Sequence, residues 1–301
     1  MSIPPVRQHA IERAKACFLR ACALDVAVRK PGNVSRASAG HGMTADVFIA
    51  SARAAADPLF QPGARVGERI EAAVEASWAA AGCNTNLGIV LLCAPIARAV
   101  DLRPDATDPG ALREAIDGVL HELDLADAQC AFRAIARAHP GGLGSAPDQD
   151  VNRPPNVDLR TAMALAARRD SIARLYRDGY GPLFELVAAM LDPGLSVGSL
   201  NADADSEDEP DPATAAAVLR LYLALLGSVP DSHIVRIHGE AVAHTVMAAA
   251  QRWRRQMGRA GGLDGDPEFA AWDASLKAQR INPGTSADMT VAALLIAGLL
   301  A

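Results

Sequence analysis

The sequence predicts an all-α protein, a single domain over residues 1–301 built from ten or more helices, on three observations. Hydrophobic residues fill 50% of the chain while aromatics fill only 4%, and alanine supplies much of the difference. Alanine has the highest helix propensity and lets helices pack closely. Strand formers are scarce, and no alternating run with a hairpin turn occurs. The apolar stretches are instead punctuated by helix signals, with Asp, Asn, Ser or Thr at their starts and Gly or Pro at their ends.

Residues 4–29 read as one long helix, with Ile11, Phe18, Cys22 and Val28 near one face, stopped by Pro31-Gly32. After the polar segment KPGNVSRASAGHGM, Thr44 caps a helix that carries Asp46 in its first turn. A helix over Glu68–Ala81 ends at Gly82, and NTNLG opens an apolar helix that Pro95 is positioned to kink. Asp108-Pro109 starts the first of two shorter helices reaching Ala138. A long loop rich in Gly, Pro, Asp and Asn leads to a helix over Leu159–Arg177. Residues 201–212, NADADSEDEPDP, lack the turn glycine and the spacing of a calcium loop and read as a solvated acidic linker. Helices over Ala213–Leu226, from SVPDSHIVR to about Gly258, and over Glu268–Gln279 precede a last one that starts inside INPGTSADM.

Several function classes drop out. The net charge is −6 with no basic stripe, so nucleic acid is not an expected partner. Five scattered cysteines without a C-x-x-C pair read as reduced thiols of a cytoplasmic protein. Arg7, Glu12, Arg13 and Lys15 interrupt any signal-peptide core, and the apolar stretch 289–301 is shorter than the roughly 20 residues of a membrane span. There is no G-x-x-x-x-G-K-S/T phosphate loop, no strand-flanked G-x-G-x-x-G, no G-x-S-x-G elbow and no fixed-period repeat.

What remains is a set of four polar knots, each at a helix start: GHGMTAD, GCNTNLG, PDSHIVR and NPGTSAD. Helix starts present unpaired N–H groups and the positive end of the dipole. Several meeting at one point would cradle an anion, and their carboxylates would tolerate phosphate only across a cation such as Mg²⁺. A nucleotide polyphosphate fits. Each knot alone also has a plain reading: Asn84 or Asn282 as a cap, Asp46 or Asp288 as a dipole partner, His41 or His233 as a bonded structural histidine, with His238 and His244 structural or on the surface.

The segments KPGNVSRASAGHGMTADVFIASA, GCNTNLGIVLLCAPIA, PDSHIVRIHG and NPGTSADMTVAALL, in this order over residues 30–301, resemble the triphosphoribosyl-dephospho-CoA synthase family. The resemblance implies an all-helical transferase. Its reaction joins C1′ of the ATP ribose to the 2′-hydroxyl of 3′-dephospho-CoA, releases adenine and yields a prosthetic-group precursor for acyl carrier proteins. Asn86-Leu87 stands where the citrate lyase type carries His-Lys, and Asp46 lies later after His41 than the family aspartate. The middle loop, HPGGLGSAPDQDVNRPP, is similar to a branch found beside one-carbon pterin cofactors, which implies the alternative of another acceptor for the same donor chemistry. A non-catalytic helical scaffold is the alternative of another class.

Loss of adenine builds oxocarbenium-like charge at C1′, so a nearby carboxylate, a general acid and a general base all assist. On the resemblance, the expected catalytic residues are His41, Asp46, Asp231 and His233, with Asp46, Asp231 and Asp288 holding Mg²⁺. Asn84, Thr85 and Asn86 contact phosphate or ribose. Asn282, Gly284, Thr285 and Ser286 form a phosphate nest, and Lys30 and Arg236 supply cations. Alanine-rich helix faces would support a homodimer.

Overall fold

A computed structural model describes residues 3–190, 209–260, 263 and 265–301, and these form fourteen helices with no strand beyond two isolated bridges in the 35–43 segment. The last helix, α14 (Gly284–Leu300), is buried along almost its whole length and on every side, from Thr285 to Leu299. A helix apolar all round has to be a core helix. Around it pack α1 (Pro5–Ala27), α4 (Leu87–Leu102), α9 (Gly181–Met190) and α10 (Pro212–Leu226). Small residues set the spacing: a Cβ on Gly298 would lie 3.2 Å from Cys17 Sγ of α1. An outer layer of α2 (Ala45–Leu59), α3 (Val66–Ala81) and α6 (Leu125–Ala138) covers α1 and α4, and α5 (Pro109–Glu122) lies against α4. No helix among the described residues is long and apolar enough to cross a membrane.

Most helix starts read from the sequence are real. Thr44 Oγ1 accepts from Val47 N–H, Asp108 accepts from Gly110 and Ala111 N–H, and Gly82 closes α3 in the left-handed conformation. Two long helices were not single. The stretch 159–177 divides into α7 (Leu159–Ala166) and α8 (Ser171–Asp178), because the Asp170 side chain caps a new start by accepting from Ala173 N–H. The stretch after PDSH divides at Gly239 into α11 (Ser232–His238) and α12 (Glu240–Ala260). α9 was not anticipated; α13 (Pro267–Ala278) was. Positions 201–208 of the expected acidic linker lie outside the described residues, while Asp211 caps α10.

Two buried polar devices lock the frame. Asp101, at the end of α4, accepts from Arg7 of α1, Arg69 of α3, Arg98 of its own helix and Gly63 N–H. Pro95 sits inside α4 without ending it. Proline has no N–H for the carbonyl four residues back, and that carbonyl, Leu91 O, accepts instead from Tyr176 Oη at 2.6 Å. Tyr180 Oη donates to Leu92 O next to it. Tyr176→Phe keeps the ring and leaves a buried carbonyl unpaired. Its unfolding free energy should fall by about 1–3 kcal/mol, as a lower midpoint of urea denaturation at unchanged slope.

Candidate functional site

A cavity of about 480 Å³ opens where the N-terminal ends of α4, α8, α11 and α14 meet. The 28–44 segment and α2 close one side through Asn33, Met43 and Phe48. The loop 140–151 and the faces of α6 and α7 close the other. Two of the four helix ends are capped by acids and two are open. Asp231 caps α11 and Asp170 caps α8. The start of α14 follows Pro283, which offers no side-chain cap, so Gly284 and Thr285 N–H have no partner among the described residues. At α4, Asn84 Oδ1 accepts from Leu87 N–H at 3.2 Å, and Gly88 and Ile89 N–H have no partner among the described residues. Thr85 Oγ1 is buried at this end without a partner. Open helix starts beside a cavity form an anion site.

Asp288 faces this cradle from the second turn of α14. A Cβ on Gly88 would lie 2.0 Å from Asp288 Oδ2, so α4 admits the carboxylate only because position 88 is glycine. Asp288 has no hydrogen bond or ion pair among the described residues. Burial, reinforced by Asp25 and Asp231, pushes its pKa well above the usual carboxylate range. A second acid on the cavity, Asp25 of α1, is buried and pairs with Lys30 Nζ at 3.1 Å. Burial raises its pKa and Lys30 opposes the rise.

Not all the expected roles survive the geometry. Asp231 is 2% exposed, and both oxygens are occupied: Oδ1 accepts from His233 and Ile234 N–H, Oδ2 from Ser286 N–H and Oγ at 2.7 Å. A carboxylate has about four lone-pair sites, so neither metal nor substrate finds a free one, and Ser286 is used up with it. Asp46 is exposed on α2 outside the cavity. The expected triad of Asp46, Asp231 and Asp288 is therefore not assembled, and no group of three metal-ligating side chains occurs among the described residues. Lys30 is fully buried on Asp25 and its carbonyl and offers no free charge to a phosphate. Asn86 is buried behind the α4 start rather than on the cavity wall, its Nδ2 unpartnered.

Asn84, Thr85, His233, Arg236, Asn282, Gly284 and Thr285 do line the cavity with Asp288. Asn282 Oδ1 accepts from Asn33 Nδ2 at 2.9 Å, and Thr285 Oγ1 accepts from His233 N–H at 3.2 Å. The His233 pKa is pushed down to about 4, first by burial and then by Arg236 and His41. Its ring is therefore held in the neutral form in the free protein. His41 stands off the cavity wall, its Nε2 2.7 Å from Gly32 O. Sequence reasoning missed Asp25, Asp170 and Arg169. Asp25 was signalled by a lone acid in the apolar run ACALDVAV, and Asp170 by an Asp-Ser step that starts a helix.

The family profile of ATP:dephospho-CoA triphosphoribosyl transferases (CitG) matches residues 11–301. A crystal structure from Archaeoglobus fulgidus, given provisionally as a triphosphoribosyl-dephospho-CoA synthase, shares the fold with a TM-score of 0.63. The likeness spans 84% of this chain and 98% of that one at 21% identity. No curated protein matches the chain.

Exchanging the two acids should separate frame from surface. Asp231→Ala loses charge-assisted bonds at two helix starts and should lower the unfolding free energy by about 3 kcal/mol. Asp46→Ala should stay within about 0.5 kcal/mol of the parent and keep its turnover. Denaturation curves and an adenine-release assay read both.

Proposed function

The chain belongs to the ATP:dephospho-CoA triphosphoribosyl transferase family, and we propose that its transfer takes place in this cavity, with the triphosphate on the open ends of α4 and α14 and Asp288 beside it. The observation that carries the reading is Asp288 itself, a half-buried carboxylate that faces the cavity between two uncapped helix starts and has no hydrogen-bond partner among the described residues. Its surroundings disfavour the charged form, and a bound cation would offset that. As a family transferase the chain is not a scaffold.

The reaction breaks the bond between ribose C1′ and adenine and forms one between C1′ and the acceptor hydroxyl oxygen, whose proton balances the adenine that leaves. Gly284, Thr285 and Gly88 N–H, with Asn84 and Thr85, bind phosphate oxygens. His233, neutral at pH 7, orients the nucleotide by hydrogen bonding rather than by giving up a proton. The Asp288 carboxylate favours positive charge developing at C1′. A magnesium ion fits here, since it is usually held by one or two carboxylates plus phosphates. Asp288 would hold it, with Asp25 nearby, and the ion would offset charge between acid and triphosphate. Five unpaired thiols suit a reducing compartment, so a cytoplasmic location follows from the cysteine usage.

Asp288→Asn keeps the size of the side chain and removes its charge. Adenine release from ATP in the presence of dephospho-CoA should fall by about a hundredfold or more, with the melting temperature unchanged or raised. Full turnover in that variant would end the assignment. ATP affinity measured by calorimetry should drop when EDTA removes magnesium; equal affinity would take the metal out of the mechanism.

A further inference from the structure

Arg236 is the side chain that joins three walls of the cavity. Its Nε donates to Gly141 O at 3.1 Å in the 140–151 loop, Nη1 to Asp170 Oδ2 at 3.3 Å at the α8 start, and Nη2 to His233 Nδ1 at 3.2 Å on its own helix. The loop lies directly on α11 here: a Cβ on Gly142 would stand 2.7 Å from Ile237 Cδ1 and 2.9 Å from Arg236 O.

The third bond has a chemical consequence. A guanidinium has five N–H donors and no acceptor, and stays protonated at every working pH. His233 Nδ1 must therefore accept. In a neutral imidazole one nitrogen accepts and the other carries the proton, so Nε2 carries it. The groups around the ring agree. Asp231 has no free lone pair, Thr285 Oγ1 takes the backbone N–H of His233 rather than the ring, His41 and His238 bring positive or neutral rings, and Asp170 is held by Arg236. No carboxylate among the described residues bonds the ring, so nothing there favours its cation.

We propose that Arg236 is a positioning residue for the transfer. It fixes His233 as a neutral Nε2–H donor to the bound nucleotide and ties the 140–144 segment to α8 and α11 as one wall. The role in transfer rests on the cavity being the nucleotide site; the tautomer is a property of the free protein and is read separately.

The test is long-range proton–nitrogen NMR of the full-length, nitrogen-15-labelled protein, with His233→Gln identifying the signal. The native protein at pH 7 should show His233 as a neutral ring protonated on Nε2. Arg236→Met should turn that pattern into a tautomer mixture and lower kcat about tenfold, with the KM for ATP moving less than about threefold. Arg236→Lys, which can still donate to Nδ1, should recover most of the Nε2–H pattern and part of kcat. A native ring protonated on Nδ1, or on both nitrogens, would overturn the proposal. So would an Arg236→Met enzyme with full kcat, or an Arg236→Lys enzyme that shows the native Nε2–H pattern but regains none of the kcat. If Arg236→Met does not fold, the native spectrum and Arg236→Lys still decide. If ATP with magnesium leaves the His233 signals unmoved, the nucleotide site lies elsewhere and the positioning role falls with it, while the tautomer stands on its own spectrum.

Discussion

The site depends on one buried carboxylate that belongs to two helices. Asp231 caps α11 through one oxygen and, through the other, accepts from the backbone and hydroxyl of Ser286 in the first turn of α14. Helix starts carry like partial charges and repel when brought together. A shared anion at the junction removes that cost and fixes the distance between them. Because Ser286 N–H is taken, the unpaired donors at the α14 start are Gly284 and Thr285, which face the cavity. The spacing of the open N–H groups is thus set by a residue that does not itself line the cavity.

The same logic separates what could be read from the sequence. The helix frame was legible because alanine-rich stretches, Asp-Pro and Thr caps and glycine stops are local signals. Three of the four polar knots do meet, at the starts of α4, α11 and α14. The fourth corner is α8, hidden inside what reads as one helix because Asp170 looks like an ordinary surface acid between arginines and a serine. The α2 knot instead contributes Met43 and Phe48 to the wall and turns Asp46 outwards. Nothing in a one-dimensional pattern distinguishes Asp231 from Asp288: each sits at a helix start beside serine or threonine. Only the packing shows that one carboxylate is fully bonded and the other is bare. Asp25 needed the same information, since its pairing with Lys30 depends on how the chain turns back after α1.

Rigidity around the cradle comes from elements far from it in the chain. α14 is held on all sides, so its first turn cannot adjust to a ligand by shifting the helix. α4 carries Pro95 at its middle, and the tyrosines of the α8–α9 region replace the bond that the proline removes. That arrangement links the start of α8, where Asp170 lies, to α4, where Asn84 and Thr85 lie. The glycine at position 88 completes it by letting Asp288 reach the α4 start at a distance no side chain would allow.

On the proposed function, the charge balance of the cavity restricts how a nucleotide would enter. Five aspartates and two arginines line it, and one of the arginines is already bonded to Asp170. A bare triphosphate would meet carboxylates as well as helix ends, and the open N–H groups alone carry only partial charge. A divalent cation carried on the triphosphate would reverse the sign of the encounter with Asp288 and would leave the helix starts free for phosphate oxygens. Thermodynamic linkage makes this mutual: whatever the metal adds to nucleotide affinity, the nucleotide adds to metal affinity. On the proposed function, a site with too few protein ligands to hold magnesium alone and too many acids to hold ATP alone would take the two together, each supplying what the other lacks.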